Sequence, residues 1–190
     1  KNFFFSTEDM IFFQKGNLDL IYKFFKFFDD NSVEYLRSAP IPPVLNYENK
    51  DIFVREPNWA LHNISLQPAL INKKFLIKNL FRNDNSRSFE EKISYYNRNN
   101  KKIFSSRANI FPYKEIVIGG NIVRNCDLLF KNVNLKYPNK IKKMSYLKHL
   151  KFTIFKEFKF WLLYKLPINV IKYLVMNNII GYKKKFVHKK

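Results

Sequence analysis

The chain has 190 residues, with 35 Lys+Arg against 15 Asp+Glu and a formal net charge of +20. Such an excess repels itself in a free compact chain and points to a polyanionic partner. Nucleic acid is the first candidate, because each neutralised phosphate releases condensed counterions, and an anionic membrane surface is the second. Hydrophobic residues at 46% and aromatics at 18% exclude a purely disordered chain, and no run of about 18 uncharged apolar residues is present to span a bilayer.

Residues 1–64 read as an N-terminal extension. Leu18, Ile21, Phe25 and Phe28 recur at helical spacing behind Asn17, a good cap, and Asp29-Asp30-Asn31-Ser32 stops the helix. The stretch from Ser38 to Pro57 carries Pro40, Pro42 and Pro43 and reads as extended chain that drapes over a partner. Within 65–81, Asn72 caps a second short helix whose Phe75, Leu76, Asn79 and Leu80 share one side. The polar stretch from Arg82 to Lys102 reads as a loop, solvated or lying on RNA. In YKEIVIGGN, Ile116, Val117 and Ile118 predict a strand that ends in a Gly119-Gly120-Asn121 turn.

Residues 122–165 change character, with a basic run followed by an aromatic one. Leu147, Leu150, Ile154, Phe158 and Trp161 fall on one helical arc, and Lys151 intrudes on it. This region reads as an inserted, mostly helical segment that packs on neighbouring proteins, with insertion into a membrane interface as the alternative. Pro167 ends the helix, LPINV reads as a strand, and residues 166–190 close on a strongly basic tail.

Asn, Lys, Phe, Ile and Tyr dominate the composition, with 28 lysines against seven arginines. Their A/T-rich codons predict an AT-rich, organellar genome, so many phenylalanines reflect drift. Cys126 is the sole cysteine and reads as a small buried apolar side chain. His62, His149 and His188 lie far apart, so neither a metal-ligand spacing nor an internal disulfide is available, and no cofactor is expected. The start KNFFFSTED lacks the features of a secretory signal, and the missing initiator Met reads as trimming or incompleteness. The pairs Asp29-Asp30 and Glu90-Glu91 are adjacent and so face apart on a helix. Gly119-Gly120 lacks the spacing of a phosphate cradle. The chain reads as a non-enzyme.

The order of several pieces resembles the small-subunit ribosomal protein nineteen family. Pro68 followed by LINKKFLIK is similar to that family's first helical element. Ser105, Ser106, Arg107, Ile110, Phe111 and Pro112 in SSRANIFP are similar to its "SRRSTIxP" motif. EIVIGGN is similar to the first strand and turn of its hairpin, Leu166, Pro167, Ile168 and Val170 to its returning strand, and Ile180, Gly181, Tyr182, Lys183 and Phe186 to its tail. The departures are the segment 122–165 inside the hairpin, Ala108 in place of the second Arg, and Tyr182 where the family usually has His.

The resemblance implies an α+β fold: a small antiparallel sheet with short helices, split as 65–121 and 166–190. It implies a structural role in the head of the small ribosomal subunit, on small-subunit ribosomal RNA and beside neighbouring proteins that include protein thirteen. The expected location is the mitochondrial matrix, with the plastid as alternative. Ser105, Ser106 and Arg107 would meet phosphate, through a planar donor fork flanked by hydroxyls, unless Arg107 instead pairs with Glu115. The tail residues Tyr182, Lys183, Lys184, Lys185, Lys189 and Lys190 would lie on RNA, unless they form a solvated run. The rival functions are an accessory subunit of an organellar inner-membrane complex and an RNA-binding factor outside the ribosome. No small-molecule substrate is expected, and a membrane partner is the weaker reading.

Overall fold

A computed structural model describes residues 2–6, 10–41, 44–45, 50–60, 63–80, 86–118, 120–132, 141–177 and 179. The fold is α+β. In chain order, the first half holds β1 (Asn2–Phe5), β2 (Met10–Phe12), α1 (Leu18–Asp30), β3 (Tyr35–Arg37), β4 (Phe53–Arg55), β5 (Ala69–Asn72), α2 (Lys73–Asn79) and α3 (Ser86–Tyr96). Then follow β6 (Ile103–Ser106), β7 (Tyr113–Glu115), β8 (Val117–Ile118), β9 (Asn121–Ile122), α4 (Asp127–Asn132), α5 (Tyr146–Lys165) and α6 (Ile168–Met176). Five strands form the main sheet in the order β1-β5-β3-β6-β4, with β3 parallel to β6 and the other pairs antiparallel. Two small ribbons, β2-β7 and β8-β9, stand beside it.

Alternation along these short strands sorts the core into two layers. Leu36 and Leu70 face one way and pack with Phe24 and Phe28 of α1, and with Phe53 and Ile110. Tyr35, Ile71 and Ile103 face the other way, against Phe75 of α2 and Phe89 and Ile93 of α3. Helix α1 starts where expected, since Asn17 Oδ1 accepts from the Asp19 and Leu20 amides at 3.0 and 3.1 Å. Of the expected arc, Phe28 is buried and Ile21 packs against the same cluster, while Leu18 is 80% and Phe25 42% exposed and Phe24 is buried instead. Asn72 likewise caps α2, accepting from the Lys74 and Phe75 amides at 2.9 and 3.4 Å. Phe75 and Asn79 of α2 are buried, and Leu80 is exposed.

Four expectations are corrected. Residues 1–64 do not pack as an extension: they supply β1, β3 and β4, three of the five strands, and Tyr35 and Leu36 lie at the centre of the core. Strands of three or four residues are too short to display a period-two pattern, and the prolines around them masked the signal. The expected loop from Arg82 to Lys102 contains α3, which needs only Phe89 and Ile93, one turn apart, to seat it on the sheet. LPINV is not a strand. Pro167 stands at the N-cap of α6, where its fixed φ suits a helix start, and Ile171 and Val175 are buried one turn apart. The hairpin therefore closes locally, with Val117 opposite Ile122 and Ile118 opposite Asn121. Gly120 takes a φ of 72° in that turn, a region that favours glycine.

Two satellite clusters complete the interior. Ile11, Ile116, Ile122, Cys126 and Phe130 join the ribbons to α4, with Cys126 fully buried as a small apolar group. Leu163 of α5 and Ile171 and Val175 of α6 pack on Leu45 and Ala60. Residues 122–165 are largely helical, through a short 3-10 turn at Arg124–Cys126, α4 and α5.

Candidate nucleic-acid interface

Ser105 and Ser106 lie on β6, an internal strand, so their side chains are decided by the sheet. Ser105 stands between Arg37 of β3 and Val54 of β4, Ser106 opposite Phe53, and both are fully buried. The Ser106 hydroxyl donates to the Ala108 carbonyl at 2.7 Å and accepts from the Ala108 amide at 3.1 Å. The Ser105 hydroxyl is buried without a hydrogen-bond partner among the described residues, near enough to the Glu56 carboxyl to favour its ionised form. Neither serine reaches a surface, which corrects their assignment to phosphate. Arg107 is half-buried, donates its backbone N–H to the Ile52 carbonyl at 2.8 Å, and its charge also favours the ionised form of Glu56.

What these residues surround is a buried ion pair. Arg37 Nη2 meets Glu56 Oε1 at 3.0 Å, and Glu56 Oε2 accepts from the Leu45 amide at 3.0 Å. Burial pushes the Glu56 carboxyl up. Arg37 opposes that most strongly, followed by the Leu45 N–H, the Ser105 hydroxyl and the Arg107 charge. Arg37 is 1% exposed, and its Nε and Nη1 have no hydrogen-bond partner among the described residues. The pair ties the segment that carries Leu45 and Glu56 to the central strand β3, so its role is mechanical. Burial also raises Tyr35, whose hydroxyl donates to the Ser65 carbonyl at 2.8 Å, and Tyr113, where Glu115 adds to the shift.

The cations face outward elsewhere. No lysine with a described side chain is buried. Lys101 and Lys102 sit at the start of β6, the opposite end from Arg107. Burial of Phe75 and Asn79 turns Lys73, Lys74 and Lys78 of α2 to solvent. The two groups are held together by amide contacts: Asn97 Nδ2 donates to Asn79 Oδ1 at 2.7 Å, Asn100 Oδ1 accepts from the Lys102 amide at 2.9 Å, and the Lys102 carbonyl accepts from Glu34 N at 2.9 Å. Lys74 and Lys102 line one open groove with Asn2 and Asn72. Two acids line the same groove and keep their charge, Asp29 accepting from Asn2 Nδ2 at 3.0 Å and Glu34 from Asn100 Nδ2 at 2.6 Å. Beside them Arg98 lies over the exposed Tyr95 ring at 4.9 Å.

This surface offers ammonium groups, a guanidinium and side-chain amides to an anionic backbone, the donor types that position a protein on phosphate. Its sequence signal was the pair of lysine doublets, Lys73-Lys74 and Lys101-Lys102, which only the fold brings to one end of the sheet. The expected tail contacts Tyr182, Lys183, Lys184, Lys185, Lys189 and Lys190 lie outside the described residues, as do His62 and His188. Among the described residues no His, Cys, Asp and Glu group has a metal-binding arrangement, and no helix is long and apolar enough to cross a membrane. Set against protein-family models, curated proteins and solved structures, the chain matches none of them.

Proposed function

We propose that this chain is an RNA-bound structural protein, a constituent of the small ribosomal subunit of an organelle, with the mitochondrion first and the plastid second. The observation that carries the reading is the net charge of +20 combined with lysines held at the surface. Buried lysine would have required pairing; these are kept in water, available to displace counterions from phosphate. The end of the sheet that carries Lys74, Lys101 and Lys102 is the contact surface on the described residues, and the basic tail extends it. The ribosomal assignment rests on the ordered resemblance through Pro68-LINKKFLIK, SSRANIFP and EIVIGGN, and it brings with it the head of the subunit and protein thirteen as a neighbour. LPINV no longer supports it as a strand, because that segment is helical.

Binding of this kind neutralises phosphate and reads shape, with little base-specific hydrogen bonding. Sucrose-gradient proteomics of detergent-solubilised organelles tests it. The expected result is a peak with the small ribosomal subunit. A peak with respiratory complexes and none with that subunit rejects the ribosomal assignment in favour of an inner-membrane accessory role. A peak with neither, alongside retained RNA binding, leaves an RNA-binding factor outside the ribosome.

A further inference from the structure

The arc that the sequence marks as apolar on α5 is the one that the fold leaves uncovered. Leu147, Leu150, Ile154, Phe158 and Trp161 are between 40% and 68% exposed. The helix is seated by its other side, through buried Leu163 and through Lys156, whose Nζ lies 3.8 Å from Glu115 Oε2. At about 100° per residue, Phe155 widens the exposed apolar surface to about 140° of the helix circumference, and that ring is 70% exposed. Phe158 and Trp161 stack on each other, with centroids 6.0 Å apart and planes 18° apart.

We infer that this face of α5 seats on an anionic lipid bilayer surface, with the helix lying in the plane of the interface. This is independent of the ribosomal reading. Charge complementarity selects the occupant. Apart from Lys156, which is paired with Glu115, the helix carries Lys148, Lys151, Lys159 and Lys165 against Glu157 alone. Two copies face to face would set like charges together, which disfavours a second copy of this chain. RNA offers phosphates and ring faces and has nothing to cover Leu147, Leu150 and Ile154. A single partner helix covers a narrow seam, whereas this arc is broad and contains Lys151, which a protein interface would bury. At a bilayer surface the Lys151 stem lies along the acyl boundary while its ammonium reaches the headgroups. Trp161 belongs at the same depth, apolar body inward and N–H in the wet layer. No described helix is apolar enough to cross, so the mode is interfacial.

The test uses the intact chain with phosphatidylcholine vesicles, with and without phosphatidylglycerol. The expected result is flotation with the anionic vesicles and a blue shift of tryptophan emission. Trp161→Phe, which leaves Trp59 as the sole reporter, should still float and should lose the shift. Ile154→Asp combined with Phe158→Asp should weaken vesicle binding roughly tenfold or more. Both positions are more than half exposed, so the variant's circular dichroism should match that of the parent. Flotation without a shift would mean that the net charge alone adsorbs to lipid, and that overturns the inference. So does a shift produced by single-stranded RNA but not by vesicles, or a shift that accompanies self-association without lipid. None of these outcomes bears on co-sedimentation with the small subunit.

Discussion

Helices α1 and α5 look alike in sequence, yet the fold buries two phenylalanine rings of α1, Phe24 and Phe28, and leaves Phe155, Phe158 and Trp161 of α5 exposed. Both begin at a capping side chain, Asn17 or Ser145, and both carry phenylalanines at helical spacing. Helix α1 lays Phe24 and Phe28 over the main sheet, where Phe24 meets Phe53 and Phe111 with centroids 5.9 and 5.7 Å apart, and leaves Leu18, Tyr22 and Phe25 on its outer side. Helix α5 has apolar residues on two sides; one holds it to the body and the other faces out. Periodicity establishes that a helix forms and which residues share a face. What covers that face depends on the area of sheet available, and among the described residues α5 lies against a small ribbon, α6 and the segment around Leu45 and Ala60.

The difference is open to direct measurement by urea denaturation. Phe24→Ala removes a fully buried ring from the α1 layer and should cost about 3–5 kcal/mol. Glu56→Ala leaves Arg37 buried without its counter-ion, a loss of about 3–5 kcal/mol by the same assay. A small effect there would mean that water reaches the pair. Asn17→Ala deletes the α1 cap and should cost about 1 kcal/mol. Phe158→Ala on the outward face of α5 should change stability by less than about 0.5 kcal/mol. Should Phe158→Ala cost as much as Phe24→Ala, the two helices would be buried alike and the contrast would collapse.

The sequence carried the caps at Asn17 and Asn72, the helical character of 122–165 and the buried nature of Cys126. Each depends on local chemistry that a side chain expresses wherever it sits. It did not carry the sheet, because β3, β4 and β7 each span three residues, and such strands are specified by partners far along the chain. The same limit misled the reading of SSRANIFP, where a serine-serine-arginine run suggests a polar surface. Its position between β3 and β4 buries both hydroxyls, a fact of tertiary pairing. Lys73-Lys74 and Lys101-Lys102 are each visible as doublets, yet their proximity follows from Asn97 reaching Asn79 and from Lys102 pairing beside β3.

The proposed function requires that RNA be met by the cationic end of the sheet. Its most direct test is RNA binding by the purified chain across a salt series. Converting Lys74, Lys101 and Lys102 together to alanine should lower the slope of log affinity against log salt by roughly three, if all three touch phosphate. The loss should be nearly the same for RNAs of different base sequence. Lys23→Ala with Lys26→Ala, exposed on α1, should leave the slope nearly unchanged. An unchanged slope in the triple variant, or an equal fall in the α1 control, would contradict the assignment of this surface.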